Sequence, residues 1–163
     1  VSGTVEYVAT VADCVSATTP DPDFCAAVYA SELHLDVSAD YLGNHTSLVY
    51  LRFDPDNQIS GATTISAELI MANVNGSVLS GEVHDVAPFQ RPDLFGQAPG
   101  LGPEIAPDPG PVFSGQHVTW PLATAPKANQ PFCMALSTTT TDGIGYARLS
   151  SPTPPKLRVT FGP

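Results

Sequence analysis

The residues best suited to proton transfer or metal ligation at neutral pH are four histidines, His34, His45, His84 and His117. None stands at metal-ligand spacing from another, and the sequence has no C-x-x-C. Asp85 follows His84, but neighbours on a strand point to opposite faces, so the two do not make a base and its orienting acid. Glu82 and Asp85 have the right chemistry for an acid and a base, yet among 16 acidic residues such pairs arise by chance. There is no G-x-S-x-G, no phosphate-binding loop and no anchored carboxylate pair. The expectation is a protein without catalytic residues, not an enzyme.

Binding chemistry is better represented. The segment DPDNQISG, Asp54 to Gly61, is acidic like a calcium loop. Its spacing departs from D-x-[DN]-x-[DN]-G and the closing Glu is missing. As a turn it follows from Asp, Asn and Gly preferences. Asp54 and Asp56 are the candidate metal ligands, and a structural calcium is the only ion considered; no other cofactor is expected. For sugar binding a flat ring must stack on an apolar pyranose face. Tyr41, Phe89 and Phe95 are the loop aromatics that fit, whereas Trp120 in HVTWPL reads as core. Two sequons, at Asn44 (NHT) and Asn75 (NGS), read as exposed turns that a glycosylating host would modify.

Cys14 and Cys25 bracket a loop rich in Pro and Asp. A disulfide closing it constrains the unfolded chain by roughly 2–3 kcal/mol. Cys133, in the apolar run PFCMAL, is then a buried free thiol; the alternative pairs Cys133 with one of the first two cysteines across the core.

Period-two alternation dominates the elements that must position these residues. TVEYVATVADCVS alternates Val5, Tyr7, Ala9 and Val11 against Glu6, Val8 and Thr10. In ELHLDVS, Leu33, Leu35 and Val37 share a face. SLVYLRFD puts Val49, Leu51 and Phe53 on one face and a mixed set, Leu48, Tyr50 and Arg52, on the other. TISAELIMANV groups Ile65, Ala67, Leu69 and Met71, although its apolar residues also fit a helix. Further strands are predicted at VLSGEVHDV, HVTWPL, FCMALST and KLRVTF, about eight or nine in all. Many short strands with Gly/Pro turns predict an all-β fold, an antiparallel β-sandwich of jelly-roll type, as a single domain over residues 1–163. A Pro/Gly-rich loop at about 88–116 interrupts the pattern. Pro88 to Pro111 holds seven prolines, which cannot donate to a central ladder, along with Phe89, Leu94, Phe95, Leu101 and Ile105. Such a segment is expected to lie on the sandwich or on a neighbouring molecule.

Composition narrows the partners. The 163 residues suit one domain with a sizeable core. The net charge is −10, with 16 acidic residues against 6 basic, and no basic run occurs. Phosphate binding needs clustered Lys and Arg, so nucleic acid is not expected as a partner, nor is an anionic membrane surface. No apolar run is long enough to span a membrane, so no membrane insertion is expected. Val1 reads as a mature N-terminus, and the expected location is extracellular or at the cell surface.

The order of these segments resembles the DNRLRE domain, which is similar to the family 96 carbohydrate-binding modules. Asp13, Cys14 and Val15 stand at that family's Asp-aromatic-Val step, and Pro22, Asp23 and Phe24 at its Pro-Asp loop. Leu51, Arg52, Phe53, Asp54, Ile59, Ile65, Ala67 and Leu69 match its central core pattern. Pro154, Pro155, Leu157 and Val159 match its closing PP-x-L-x-V. The resemblance covers about residues 4 to 161. It departs where Cys14 and Cys25 replace the usual aromatic and Gly, and around Arg148, where a Ser-Arg-Glu step is blurred. These are core and turn residues, so the resemblance implies the fold and carries no ligand site. It implies a secreted, non-catalytic module binding polysaccharide or a cell-surface glycan. The alternative is a self-assembling subunit, possessing itself as partner in a homopolymer: an extracellular filament, coat or adhesive layer joined through sheet edges.

Overall fold

The computed structural model describes residues 2–16, 22, 23, 25, 32–40 and 43–163, and the side chains of all these except 37–40 and 43–45. Eleven strands occur among them. They are β1 (Gly3–Val8), β2 (Val11–Ser16), β3 (Leu33–Asp40), β4 (Gly43–Phe53), β5 (Thr64–Ala72) and β6 (Glu82–Asp85). After these come β7 (Glu104–Ala106), β8 (His117–Pro121), β9 (Phe132–Ser137), β10 (Ile144–Tyr146) and β11 (Lys156–Gly162). Helical pieces among the described residues are a 3-10 turn, Asn57–Ile59, and a five-residue helix, α1 (Asp93–Gln97); Cys25 is also helical.

The strands form two antiparallel sheets packed into a sandwich. The smaller runs β1-β11-β5-β8. The larger runs β10-β3-β4-β9-β6-β7, with β2 also paired to β4. β4 is the organising strand: it pairs β3 over residues 43–47, β2 over 47–52 and β9 over 49–53. The core between the sheets takes alternate residues from each: Leu33, Leu35, Val49, Leu51 and Phe53 on one side, Leu69, Met71, Leu157 and Val159 on the other. Trp120 is fully buried there, edge-on to Tyr146, and its indole N–H donates to the Gly81 carbonyl at 2.9 Å. The Tyr146 hydroxyl donates to the Ser80 carbonyl at 2.6 Å. Each polar tip thus has a partner, as burial requires.

Two expectations change. TVEYVATVADCVS is not one strand: the chain crosses at Ala9–Thr10, so β1 belongs to the smaller sheet and β2 to the larger. The alternation runs unbroken through this corner because Ala9 is buried at it. TISAELIMANV is the strand its alternation predicts and not the alternative helix, paired on both sides by β11 and β8. The strand count rises to eleven because two three-residue strands, β7 and β10, are too short to show a period.

The first part of the Pro-rich segment lies on the outer face of the larger sheet, whereas its 104–106 part is strand β7, which puts Ile105 and Ala106 into the core between the sheets. On the outer face Phe89 and Leu94 join Val15, Tyr50, Val86, Cys133 and Ala135 in a second apolar cluster. This explains β9, buried at every position: Phe132, Met134 and Leu136 face the sandwich interior, while Cys133 and Ala135 face the segment. Cys14 and Cys25 are disulfide-bonded, with Cα atoms 5.5 Å apart, and Cys133 is a buried free thiol.

Candidate ligand-binding site

The aromatic candidates meet different fates. Phe89 follows Pro88 into the second cluster and is only 3 % exposed. Its ring stands edge-on to Tyr50, and its carbonyl accepts from Arg52 Nη1 at 2.9 Å. Phe95, on α1, is half-buried, with the Arg91 guanidinium 5.0 Å from its ring centroid. Arg91 is itself held by the buried Asp13 carboxylate at 2.9 Å. Phe89 is buried and fastens the segment to the sheet, and Phe95 carries the Arg91 guanidinium over one face of its ring. Tyr41 lies outside the described residues. The Tyr50 hydroxyl donates to the Pro99 carbonyl at 2.8 Å, and burial pushes its pKa up. Beside it Val15, Leu48, Leu94, Ala98 and Leu101 line an apolar cleft of about 240 Å³.

Sequence reasoning missed Phe113. It is 73 % exposed, the most exposed large apolar side chain among the described residues. Val112 is buried and bridges to Ser77, so Phe113 on the next position points outward. The backbone holds it there: its N–H donates to Gln116 Oε1 at 2.9 Å, and the Ser114 hydroxyl donates to the Val74 carbonyl. The bend at Asn75–Gly76 abuts the same stretch, with Gly76 at φ +73°. A Cβ there would lie 3.3 Å from the Ser114 nitrogen. Val74 and Val78 are also exposed, on the stretch that Ser77 bridges to Val112, and Gln116 accepts the Phe113 N–H. The available signal was the one-residue parity of VF after GP and before SG, whose meaning depends on the distant bridge to Ser77.

Asp54 and Asp56 are both spoken for. Asp54 accepts from Arg52 Nε at 3.1 Å and Nη2 at 2.9 Å, and from the Thr10 hydroxyl. The Arg52 hydrogen bonds hold its carboxyl below the ordinary range. Asp56 caps the 3-10 turn through the Gln58 N–H at 3.0 Å and also accepts from Gln58 Nε2 and the Tyr7 hydroxyl. All four carboxylate oxygens face N–H or O–H donors and a guanidinium touches one pair, a donor set that does not fit a calcium ion.

The sequons also differ. Asn44 lies in β4, in register with Ala39. The Asn75 side chain spans a gap: Nδ2 donates to the Gly143 carbonyl at 2.9 Å and Oδ1 accepts from the Gly145 N–H at 3.0 Å. The turn expected there exists, and its amide is a latch between two loops.

His84 pairs not with Asp85 but with Glu82, two residues away on the same face, at 3.2 Å; its Nδ1 meets the Gly102 carbonyl at 3.0 Å. Burial raises the Glu82 carboxyl, but hydrogen bonds from His84, Glu104 and Ser137 outweigh it and leave it lowered. Glu104 is raised, chiefly by sharing a proton with Glu82. This is a cross-strand polar ladder between β6, β7 and β9.

No protein-family model matches the chain, and comparison with curated proteins returns no match. No helix among the described residues is long and apolar enough to cross a membrane.

Proposed function

We propose that this chain is a non-catalytic β-sandwich module that binds polysaccharide or a cell-surface glycan, with Phe113 as the stacking ring. One observation carries the reading: an aromatic side chain, 73 % exposed, on a stretch whose backbone is fixed by Gln116, by the bridge of Val112 to Ser77 and by the Ser114–Val74 hydrogen bond. A pyranose offers an apolar face to such a ring. The resemblance to the DNRLRE domain and the family 96 modules supports the same reading, as does the Cys14–Cys25 bond, which suits an oxidising, extracellular setting. The test is a glycan array followed by titration calorimetry of the wild type, Phe113→Ala and Phe113→Trp. Binding should fall at least tenfold in the alanine variant and persist in the tryptophan variant. Wild-type silence across the array, or binding indifferent to Phe113→Ala, overturns it.

A second reading, a subunit of an extracellular filament or coat, draws on the outer edge of β1, with which no described strand pairs. Light scattering and electron microscopy of the protein from its source test it, since a polymer requires contacts that continue from copy to copy.

A further inference from the structure

We infer that His34 and Asp36 form a binding site for a divalent transition metal of the zinc class, with Glu32 orienting the imidazole from its other side. The inference goes beyond the glycan reading and does not rest on it.

The three residues stand at alternate positions leading into β3, and their side chains meet at one ring. Each nitrogen of the His34 imidazole faces a carboxylate. Nδ1 is 3.4 Å from Glu32 Oε2, and Nε2 is 3.5 Å from Asp36 Oδ2. The site is enclosed: His34 is 7 % exposed and Asp36 only 2 %. Asp36 Oδ1 has no hydrogen-bond partner among the described residues. A buried carboxylate oxygen without a donor is costly, and a cation is the group that satisfies it.

β10 is built to make room for this cluster. Gly145 stands opposite His34 in the β10–β3 register. A Cβ at Gly143 would lie 2.7 Å from His34 Nε2 and closer still to Cε1, and one at Gly145 would overlap the Glu32 carboxylate. Neither glycine has a positive φ, so these positions use the missing side chain and not the backbone angle. Any larger residue would displace the ring or the acid.

The geometry matches metal ligation better than a hydrogen bond. The Nε2–Oδ2 separation of 3.5 Å lies beyond the ordinary hydrogen-bond range of about 2.7–3.2 Å. Zinc binds imidazole nitrogen and carboxylate oxygen at about 2.0–2.2 Å, and two such bonds at the tetrahedral angle put the ligand atoms about 3.4 Å apart. With its proton on Nδ1, toward Glu32, the ring presents the Nε2 lone pair toward Asp36. A carboxylate behind a metal-binding histidine is the usual orienting arrangement. The nitrogen ligand disfavours calcium and magnesium, which take oxygen. Water would complete the coordination.

Titration calorimetry of the whole, disulfide-bonded chain with zinc chloride tests this. The wild type should take up one zinc per chain, and its melting temperature should rise in excess zinc. In nitrogen-15 spectra the ring of His34 should shift first among the four histidines. Asp36→Asn, which keeps the shape and removes the charge, and His34→Gln should each weaken zinc roughly tenfold or more. Melts without metal check that both variants fold; should either fail, the wild-type ring shifts decide. No zinc uptake by the wild type, a shift led by His45, His84 or His117, or an affinity unchanged in folded Asp36→Asn overturns the inference. Zinc uptake is read without any glycan, so the two readings fail independently.

Discussion

The ring of Phe89 meets the ring of Tyr50 edge-on, with centroids 5.7 Å apart and planes at 87°. This contact joins the Pro-rich segment to the central strand of the larger sheet. Arg52, two residues along β4, fixes the same point by donating to the Phe89 carbonyl. Phe89→Ala should therefore cost about 3–5 kcal/mol, the range for a buried Phe truncated in a packed core. Phe95→Ala, at a half-buried position, should cost much less. Urea denaturation of both variants checks the order, and equal losses would mean that Phe89 does not anchor the segment.

Asp54 gives the acid limb of stability. The Arg52 hydrogen bonds depress its carboxyl in the folded state. Its contribution is thus fully present above the unfolded carboxyl pKa, near ~4, and is lost as pH falls through the lower folded value. Thermal melts from pH 6 to pH 2 should show a steeper decline in the wild type than in Asp54→Asn. A parallel pair of curves would assign the acid sensitivity elsewhere.

Tyr7 acts at the other extreme. Burial, then the Asp56 carboxylate that accepts its hydroxyl proton, push its pKa up to about 12. A raised folded pKa means that its contribution is complete below the unfolded value of about 10 and is lost as pH climbs toward the folded one. Spectrophotometric titration at 295 nm should find a tyrosine ionising near the upper value, and Tyr7→Phe should remove it. Tyr7→Phe should also flatten the stability decline over that window.

Much of the fold was legible because the sandwich face obeys alternation. Leu33 and Leu35, Leu69 and Met71, and Leu157 and Val159 are all buried as their parity requires. The corner at Ala9–Thr10 was hidden because parity continues through it. The mixed face of β4 and the all-apolar run of β9 did signal a covered outer face, since a strand buried on both sides reads as continuous apolar sequence. The site was far less legible. Phe89 and Phe113 sit in similar proline-bounded contexts, and their opposite fates are set by residues far along the chain, Tyr50 for one and Ser77 for the other.

Asn75 makes a prediction that separates its two amide atoms. Oδ1 accepts the Gly145 N–H and Nδ2 donates to the Gly143 carbonyl. Asn75→Ala should remove protection of the Gly145 amide in hydrogen exchange. Asn75→Asp keeps the acceptor, so Gly145 should stay protected, but it sets an anion against the Gly143 carbonyl. The expected cost is about 0.5–1.5 kcal/mol, the net worth of one hydrogen bond at an exposed site. If Gly145 exchanges equally in both variants, the latch is not what orders residues 143–145.

The cysteines divide into a constraint and a bystander. The disulfide closes a short loop, with a sequence separation of 11. Chain-entropy arguments give about 3 kcal/mol for a loop of that length. Cys14→Ser with Cys25→Ser should lower stability by that order in urea denaturation. Cys133 lies under the Pro-rich segment, and burial pushes its thiol up, so little thiolate is present at neutral pH. In the native wild type a thiol reagent should label Cys133 only as fast as the segment opens, whereas urea should release one thiol per chain at once. Phe89→Ala loosens the cover, so it should speed native labelling well beyond its effect on any exposed group. Labelling of Cys133 that is fast in the native wild type would show that the segment does not seal this face of the sheet.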